Sequence, residues 1–205
     1  MNKIILMNRQ EYKFSIDGVF LEKIRSKLIL VKKFDKRVVN SYYYDTINFD
    51  DFIDSEEGTV PRKKIRFRWY GYKKSYQGNL EIKETLDLQR NKKKIKINNF
   101  SNDVPKILTR YKKKYRPVLS INYEREYYYS NFLRLDITYD TNITYERIDS
   151  DYKKTSKFID ELNILEIKSS VNYDPNFFLS LLGDKIVRNS KYCEAVKKLS
   201  IYQTI

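Results

Sequence analysis

Five short stretches of the chain set ionic residues at alternate positions: Arg9-Gln10-Glu11-Tyr12-Lys13, Ile65-Arg66-Phe67-Arg68, Leu80-Glu81-Ile82-Lys83, Leu133-Arg134-Leu135-Asp136 and Leu165-Glu166-Ile167-Lys168. A period of two is the period of a strand, so each stretch presents one apolar face and one ionic face. Taken singly, such a strand is half buried with its charges in water. An ordinary solvent face, however, mixes Thr, Ser, Gln and Asn among its charges, and these faces hardly do. The alternative is a closed antiparallel barrel turned inside out, its lumen charged and its apolar outside covered by helices. An empty lumen of that kind repels itself and implies an anionic ligand. Arginine and lysine with a few carboxylates are what a polyanion and its metal ion require.

At 205 residues, 41% hydrophobic and 15% aromatic, the chain is long enough and apolar enough for a packed core, and we read residues 1–205 as one domain. The net charge of +14 points to an anionic partner, although the abundance of Lys, Asn, Ile and Tyr beside a single alanine, Ala195, also reflects an AT-rich coding sequence. Histidine is absent and Cys193 is the one cysteine, which removes His-based zinc sites, Ser-His-Asp and Cys-His nucleophile systems and an internal disulfide. This fits a reducing cytoplasm. The first residues carry too short an apolar run for a signal peptide, and no apolar stretch reaches the roughly 20 residues of a membrane span.

Strands are expected over Lys3–Ser15, Arg37–Tyr44, Arg62–Tyr70, Tyr76–Glu84, Lys92–Ile97, Ser120–Tyr129, Phe132–Tyr139, Ile143–Arg147 and Lys157–Ser169. Helices are expected after Asp17-Gly18, around Phe49–Ile53 up to Gly58, over Val104–Tyr115, Asn176–Leu182 and Lys191–Tyr202. The run Arg110-Tyr111-Lys112-Lys113-Lys114-Tyr115-Arg116 reads as the basic end of a helix, with a nucleic-acid patch as the competing reading. The fold class is α+β with a dominant antiparallel sheet.

Seven motifs stand in one order: Ser41-Tyr42-Tyr43-Tyr44-Asp45-Thr46, Arg62-Lys63-Lys64-Ile65-Arg66-Phe67-Arg68-Trp69-Tyr70-Gly71, Leu80-Glu81-Ile82-Lys83, Tyr123-Glu124-Arg125, Arg134-Leu135-Asp136, Leu165-Glu166-Ile167-Lys168 and Ser190-Lys191-Tyr192. In this the chain resembles the VTC domain, the polyphosphate polymerase domain of the vacuolar transporter chaperone complex, within the triphosphate tunnel metalloenzyme superfamily. The resemblance runs from about Arg9 to Leu199. It implies a closed eight-stranded tunnel and transfer of the ATP γ-phosphate to a growing polyphosphate chain. Carried over by position, it implies catalytic roles for Arg66, Arg68, Lys83, Arg125 and Arg134, and phosphate binding by Lys13, Tyr123, Lys168, Arg188, Ser190 and Lys191. Glu166 and Glu11 would hold Mn²⁺ or Mg²⁺. The family works beside a membrane, which implies a cytoplasmic protein at the inner face of a membrane through a separate membrane-protein partner.

One departure bears on the reaction. The superfamily's first strand carries two glutamates and a lysine at alternate positions, whereas Arg9, Glu11 and Lys13 stand here. This favours the polymerase-like branch over triphosphate hydrolases, which use extra carboxylates for metal and for activating water. The chemistry agrees, because phosphoryl transfer needs positioned cations and a metal more than covalent machinery. The nucleophile would be an already ionised phosphate oxygen. A tunnel hydrolase of triphosphate and a non-enzymatic binder of polyphosphate or RNA remain as alternatives; charge set inside strands rather than on a convex surface argues against RNA. Glu11, Glu81 and Glu166 could each instead be structural partners of neighbouring cations.

Overall fold

The computed structural model describes residues 10–87, 89–187 and 190–201. In chain order these form β1 (Gln10–Ser15), α1 (Gly18–Lys27), β2 (Val31–Asp45), α2 (Asp50–Glu57), β3 (Arg62–Tyr70), β4 (Gly78–Leu86) and β5 (Gln89–Ile97). Then follow α3 (Phe100–Leu108), β6 (Arg116–Ser130), β7 (Leu135–Ile148), β8 (Lys154–Asp160), β9 (Ile164–Ser169), α4 (Pro175–Leu182) and α5 (Lys191–Lys198). The antiparallel strand-rich α+β class is as expected. No helix among the described residues is long and apolar enough to cross a membrane.

Local chemistry sets most boundaries. The Asp17 carboxylate caps α1 by accepting from the Phe20 N–H at 2.7 Å, and Leu21 and Ile24 give the helix its buried face. Gly58, at φ 73, takes the left-handed position that ends α2. Asn99 caps α3, so this helix starts earlier than the apolar spacing suggested and stops at Leu108, before the basic run. The expected strands over Phe132–Tyr139 and Ile143–Arg147 are one strand, β7, which absorbs the Asp140-Thr141-Asn142 turn signal through a positive φ of 52 at Asn142. The expected long strand Lys157–Ser169 is two, β8 and β9, because each pairs with a different half of β7. Residues 3–9 of the first expected strand lie outside the described residues.

The chain divides into two compact units. Unit one holds residues 10–37, 124–142 and 161–187, and unit two holds 38–123, 143–160 and 190–201. In unit one the hydrogen-bonded order is β1-β9-β7-β6-β2; in unit two it is β8-β7-β6-β2-β3-β4-β5. The expected closed eight-stranded tunnel is therefore corrected. The strands number nine and the order is open, with no pairing of β1 to β5 among the described residues. Alternation decides which face is buried but says nothing about which edges meet. The β5 edge carries Lys92, Lys93, Lys94 and Lys96, so both its faces are charged, which protects an unpaired strand from adding another.

Each unit packs its own core. In unit one Phe14, Leu165, Ile167, Leu135 and Ile137 point to one side and meet Leu21 and Ile24 of α1 and Phe178 of α4. In unit two Ile65, Phe67, Leu80 and Ile82 meet Phe100, Val104 and Leu108 of α3. The ring of Phe67 is fully buried, stacked on Trp69 at 5.6 Å and on Phe100 at 5.2 Å. Replacing Phe67 by Ala should cost about 3–5 kcal/mol in denaturant unfolding. A Cβ at Gly78 would lie 2.3 Å from the Arg68 carbonyl oxygen and 2.8 Å from the Phe67 ring, so Gly78→Ala should also destabilise, by about 1–3 kcal/mol. Wild-type stability in both variants would mean that the faces of β3 are assigned the wrong way round.

Candidate functional site

The face of unit two opposite its core is basic from strand to strand. The registers Lys64↔Lys83↔Lys92 and Arg66↔Glu81↔Lys94 place the ionic sets of β3, β4 and β5 side by side. Glu81 is the one carboxylate in these rows, and it is 5% exposed. It accepts from Arg66 Nε at 2.8 Å and Nη2 at 2.6 Å and from Lys92 Nζ at 3.0 Å, and it lies 3.8 Å from Arg68 Nη1. Burial pushes its carboxyl up, but Arg66, Arg68 and Lys92 outweigh this and hold it at about 2. Glu81 is thus a structural partner of the cations, and the arginines are fixed in orientation.

Two tyrosines and a serine complete the arginine cradle. Arg66 Nη1 donates to the Tyr43 hydroxyl at 2.9 Å, Arg68 Nη2 to the Tyr123 hydroxyl at 3.0 Å, and Arg68 Nε to Ser41 Oγ at 3.2 Å. At the start of α5, Ser190 Oγ accepts from Lys64 Nζ at 2.9 Å, and Lys191 Nζ stands 4.9 Å from the Tyr123 ring centroid. The structure thereby brings Arg66, Arg68, Tyr123, Ser190 and Lys191 onto one unit, with Lys83 exposed in the next row. Tyr43, Ser41, Lys64 and Lys92 had been given no role from sequence. The signal that could have found Tyr43 is parity, since it lies opposite Arg66 in the β2–β3 ladder.

In unit one the registers Glu11↔Lys168 and Lys13↔Glu166 make a checkerboard of charge on β1 and β9. Lys13 Nζ lies 3.3 Å from Glu11 and 3.9 Å from Glu166, and Lys168 pairs with the other oxygen of Glu166. Glu166 is buried; burial pushes its carboxyl up, but Lys168, Lys13 and Arg125 hold it well below the usual carboxylate range. Arg125 itself gives Nε and Nη2 to the fully buried Asp140 at 2.6 and 2.7 Å. Arg134 was expected on a strand, but the structure sets it on an exposed turn before β7, with φ at 48. Arg188 lies outside the described residues.

Glu166, its carboxyl held low by Lys168 and Lys13, and Glu11, which shares Lys13 with it, are the carboxylate oxygens on this face of β1 and β9. No three acidic or thiol groups converge on a cation position among the described residues. Two carboxylates do not make an all-protein cage, and a hard divalent cation held by them would need further oxygen donors from outside the protein. The basic run after α3 turns toward α2: Lys113 lies 3.7 Å from Asp50, 3.7 Å from Asp51 and 3.5 Å from Asp54, and Tyr115 donates to Asp51 at 3.3 Å.

Comparison with known proteins gives a family and a fold. A family model described as the VTC domain matches residues 8–203. No match stands among curated proteins. Among solved structures, the PH1819 protein of Pyrococcus horikoshii OT3 is similar at TM-score 0.56 and 18% identity, over 93% of this chain and 99% of that one. A candidate adenylate cyclase from Vibrio parahaemolyticus is similar at TM-score 0.56 and 11% identity, over 92% and 97%. The Hippeastrum protein HpAC1, a candidate adenylyl cyclase described as having a dominant triphosphatase activity, is similar at TM-score 0.50 and 12% identity, over 95% and 94%. At these identities the likeness is one of fold.

Tyr43 offers a direct test of the cradle's electrostatics. Burial pushes its phenol up, but the Arg66 and Arg68 guanidiniums bring it down to about 8. Its folded pKa is below its unfolded one, so its contribution to stability is full above about pH 10 and is lost as pH falls through 8. Ultraviolet titration of the protein minus Tyr43→Phe should show one phenolate forming near pH 8, and Arg66→Gln should move it upward. If every tyrosine ionises near pH 10, the cradle does not hold Tyr43 as described.

Proposed function

The chain belongs to the VTC domain family, and from that premise we propose that it is a polyphosphate polymerase-like phosphotransferase. In this reading residues 1–205 act as a single VTC-type domain that moves the γ-phosphate of ATP onto a polyphosphate chain. The observation that carries it is Glu166: one buried, ionised carboxylate between Lys13 and Lys168, with Glu11 as its acidic neighbour. Such a set has oxygen enough to share a metal ion with phosphate and too little to build a water-activating carboxylate cluster.

Each residue then has a task that its geometry supports. Arg66 and Arg68, held by Glu81, Tyr43, Ser41 and Tyr123, would meet phosphate oxygens with no loss of side-chain freedom at the moment of transfer. Lys83, Ser190 and Lys191 would add point charge and a hydroxyl on the same unit. In unit one Lys13 and Lys168 would bind phosphate, while Glu166 and Glu11 would hold Mn²⁺ or Mg²⁺. Bound there, a divalent cation would neutralise charge on the phosphate oxygens. Arg125, with both forks on Asp140, would act on Glu166 through its field.

The competing reading is a triphosphatase, which the activity described for the similar Hippeastrum structure keeps in view. Incubation with ATP and Mn²⁺, followed by gel separation of products, distinguishes them: long phosphate chains for the polymerase, free phosphate for the hydrolase. Glu166→Gln should reduce metal-dependent transfer by roughly a hundredfold, while metal-free polyphosphate binding persists or tightens. Full activity with an unchanged metal requirement in this variant would remove Glu166 from the metal site.

A further inference from the structure

The start of α2 in unit two is held from outside the helix. Its N-cap residue, Phe49, sits at φ 56 and gives no side-chain cap bond. Asp45, at the end of β2, reaches in and accepts from the Asp51 and Phe52 N–H groups at 3.0 Å each. Asp45 is fully out of water, and it also accepts from the hydroxyl of Tyr192 in α5, whose ring stacks on Tyr43. Next to it stands a second buried carboxyl. Asp51 is 2% exposed; its Oδ1 accepts from Tyr115 at 3.3 Å and lies 3.7 Å from Lys113 Nζ. Its Oδ2 is buried with no hydrogen-bond partner among the described residues. An ionised oxygen in that position lacks both water and a donor, a cost that a neutral carboxyl largely escapes.

We propose that Asp51 is a proton-operated latch on this arrangement. While its carboxyl is neutral α2 stays closed on Asp45; when the proton leaves to water, α2 opens and the Tyr192 brace behind Tyr43 loosens. Asp45, Asp51 and Tyr192 lie outside the phosphate-facing set, so the latch stands whichever reaction the arginines serve. The groups around Asp51 pull in both directions. Burial and the Asp45 carboxylate raise its carboxyl, the Tyr115 hydroxyl, Lys113 and Lys63 of β3 lower it, and the balance stands at about 7. Asp50 and Asp54 share the same ammonium of Lys113, at 3.7 and 3.5 Å, so its charge is not given to Asp51 alone. Tyr192, which α5 turns toward the two acids, is held well above the usual phenol range and stays neutral throughout. Opening lets water reach Oδ2 and separates two neighbouring anions, and it gives up the hold of Asp45 on two backbone N–H groups. Because the folded pKa lies above the ordinary 3.8, neutral Asp51 contributes stability that is full below 3.8 and is lost as pH rises through 7. That window lies below the one in which Tyr43 ionises.

Carbon-detected NMR of the full chain, titrated from about pH 5 to about pH 8, tests this. One carboxyl should titrate near pH 7 and be missing in Asp51→Asn. The Phe52 amide and the Tyr192 ring signals should follow it with the same midpoint in the wild type, and stay at their low-pH positions in Asp51→Asn. From about pH 5 to about pH 7 the unfolding constant of the wild type should rise about fiftyfold more than that of Asp51→Asn, as one bound proton requires. Should Asp51→Asn fail to fold, Tyr115→Phe removes the hydroxyl that donates to Asp51 and should move the midpoint to higher pH. If no carboxyl titrates above about pH 5.5, or if one does and neither Phe52 nor Tyr192 responds, the latch is overturned.

Discussion

A row of cations along a strand can sit beside a packed core only if the fold supplies counter-charge that cannot leave. In both units a few acids supply it. Glu81 ties Arg66, Arg68 and Lys92 together, Glu166 holds Lys13 and Lys168, and Asp140 holds Arg125. All three acids are nearly or fully out of water, while Lys92 and Lys168 keep part of their surface wet. Removing one such acid would leave cations facing each other without compensation, which costs more than the pair itself contributes. The same acids keep the guanidiniums oriented before any ligand arrives.

That arrangement accounts for what could be read in the residues. Alternation in Ile65-Arg66-Phe67-Arg68 and Leu165-Glu166-Ile167-Lys168 gave the correct faces, because Phe67 and Ile167 are core and their neighbours are not. Seven ordered motifs gave the family. Pairing was harder to read. Whether Arg66 meets phosphate or Glu81 depends on registry between strands, which a linear pattern leaves open. Closure was illegible for a like reason, and so was the break at Glu161-Leu162-Asn163, where nothing in the alternation marks the change of partner from one half of β7 to the other. Arg134 followed the alternating pattern yet fell on a turn, since a tight hairpin overrode four residues of periodicity.

The end of β2 shows how the arginine cradle is braced from behind. Asp45 accepts from the backbone N–H groups of Thr46, Asp51 and Phe52 and from the Tyr192 hydroxyl. Burial raises this carboxyl despite those donors. Tyr192 in turn stacks on Tyr43 at 5.3 Å and 12°, so α2 and α5 are both fastened to the strand that presents Ser41 and Tyr43. A side chain as remote from chemistry as Asp45 therefore governs where a phenol beside Arg66 can sit.

The hydrogen bond from Lys64 to Ser190 joins positions 126 apart in the chain. At synthesis rates of about 5–20 residues per second, β3 leaves the ribosome on the order of ten seconds before the helix that finishes its basic face. For that interval the β3 face stands without Ser190 or Tyr192, which come later in the chain. Glu81, only 15 residues behind Arg66, reaches its partner within the same β3–β4 hairpin, so the arginine has its counter-charge long before Ser190 reaches Lys64.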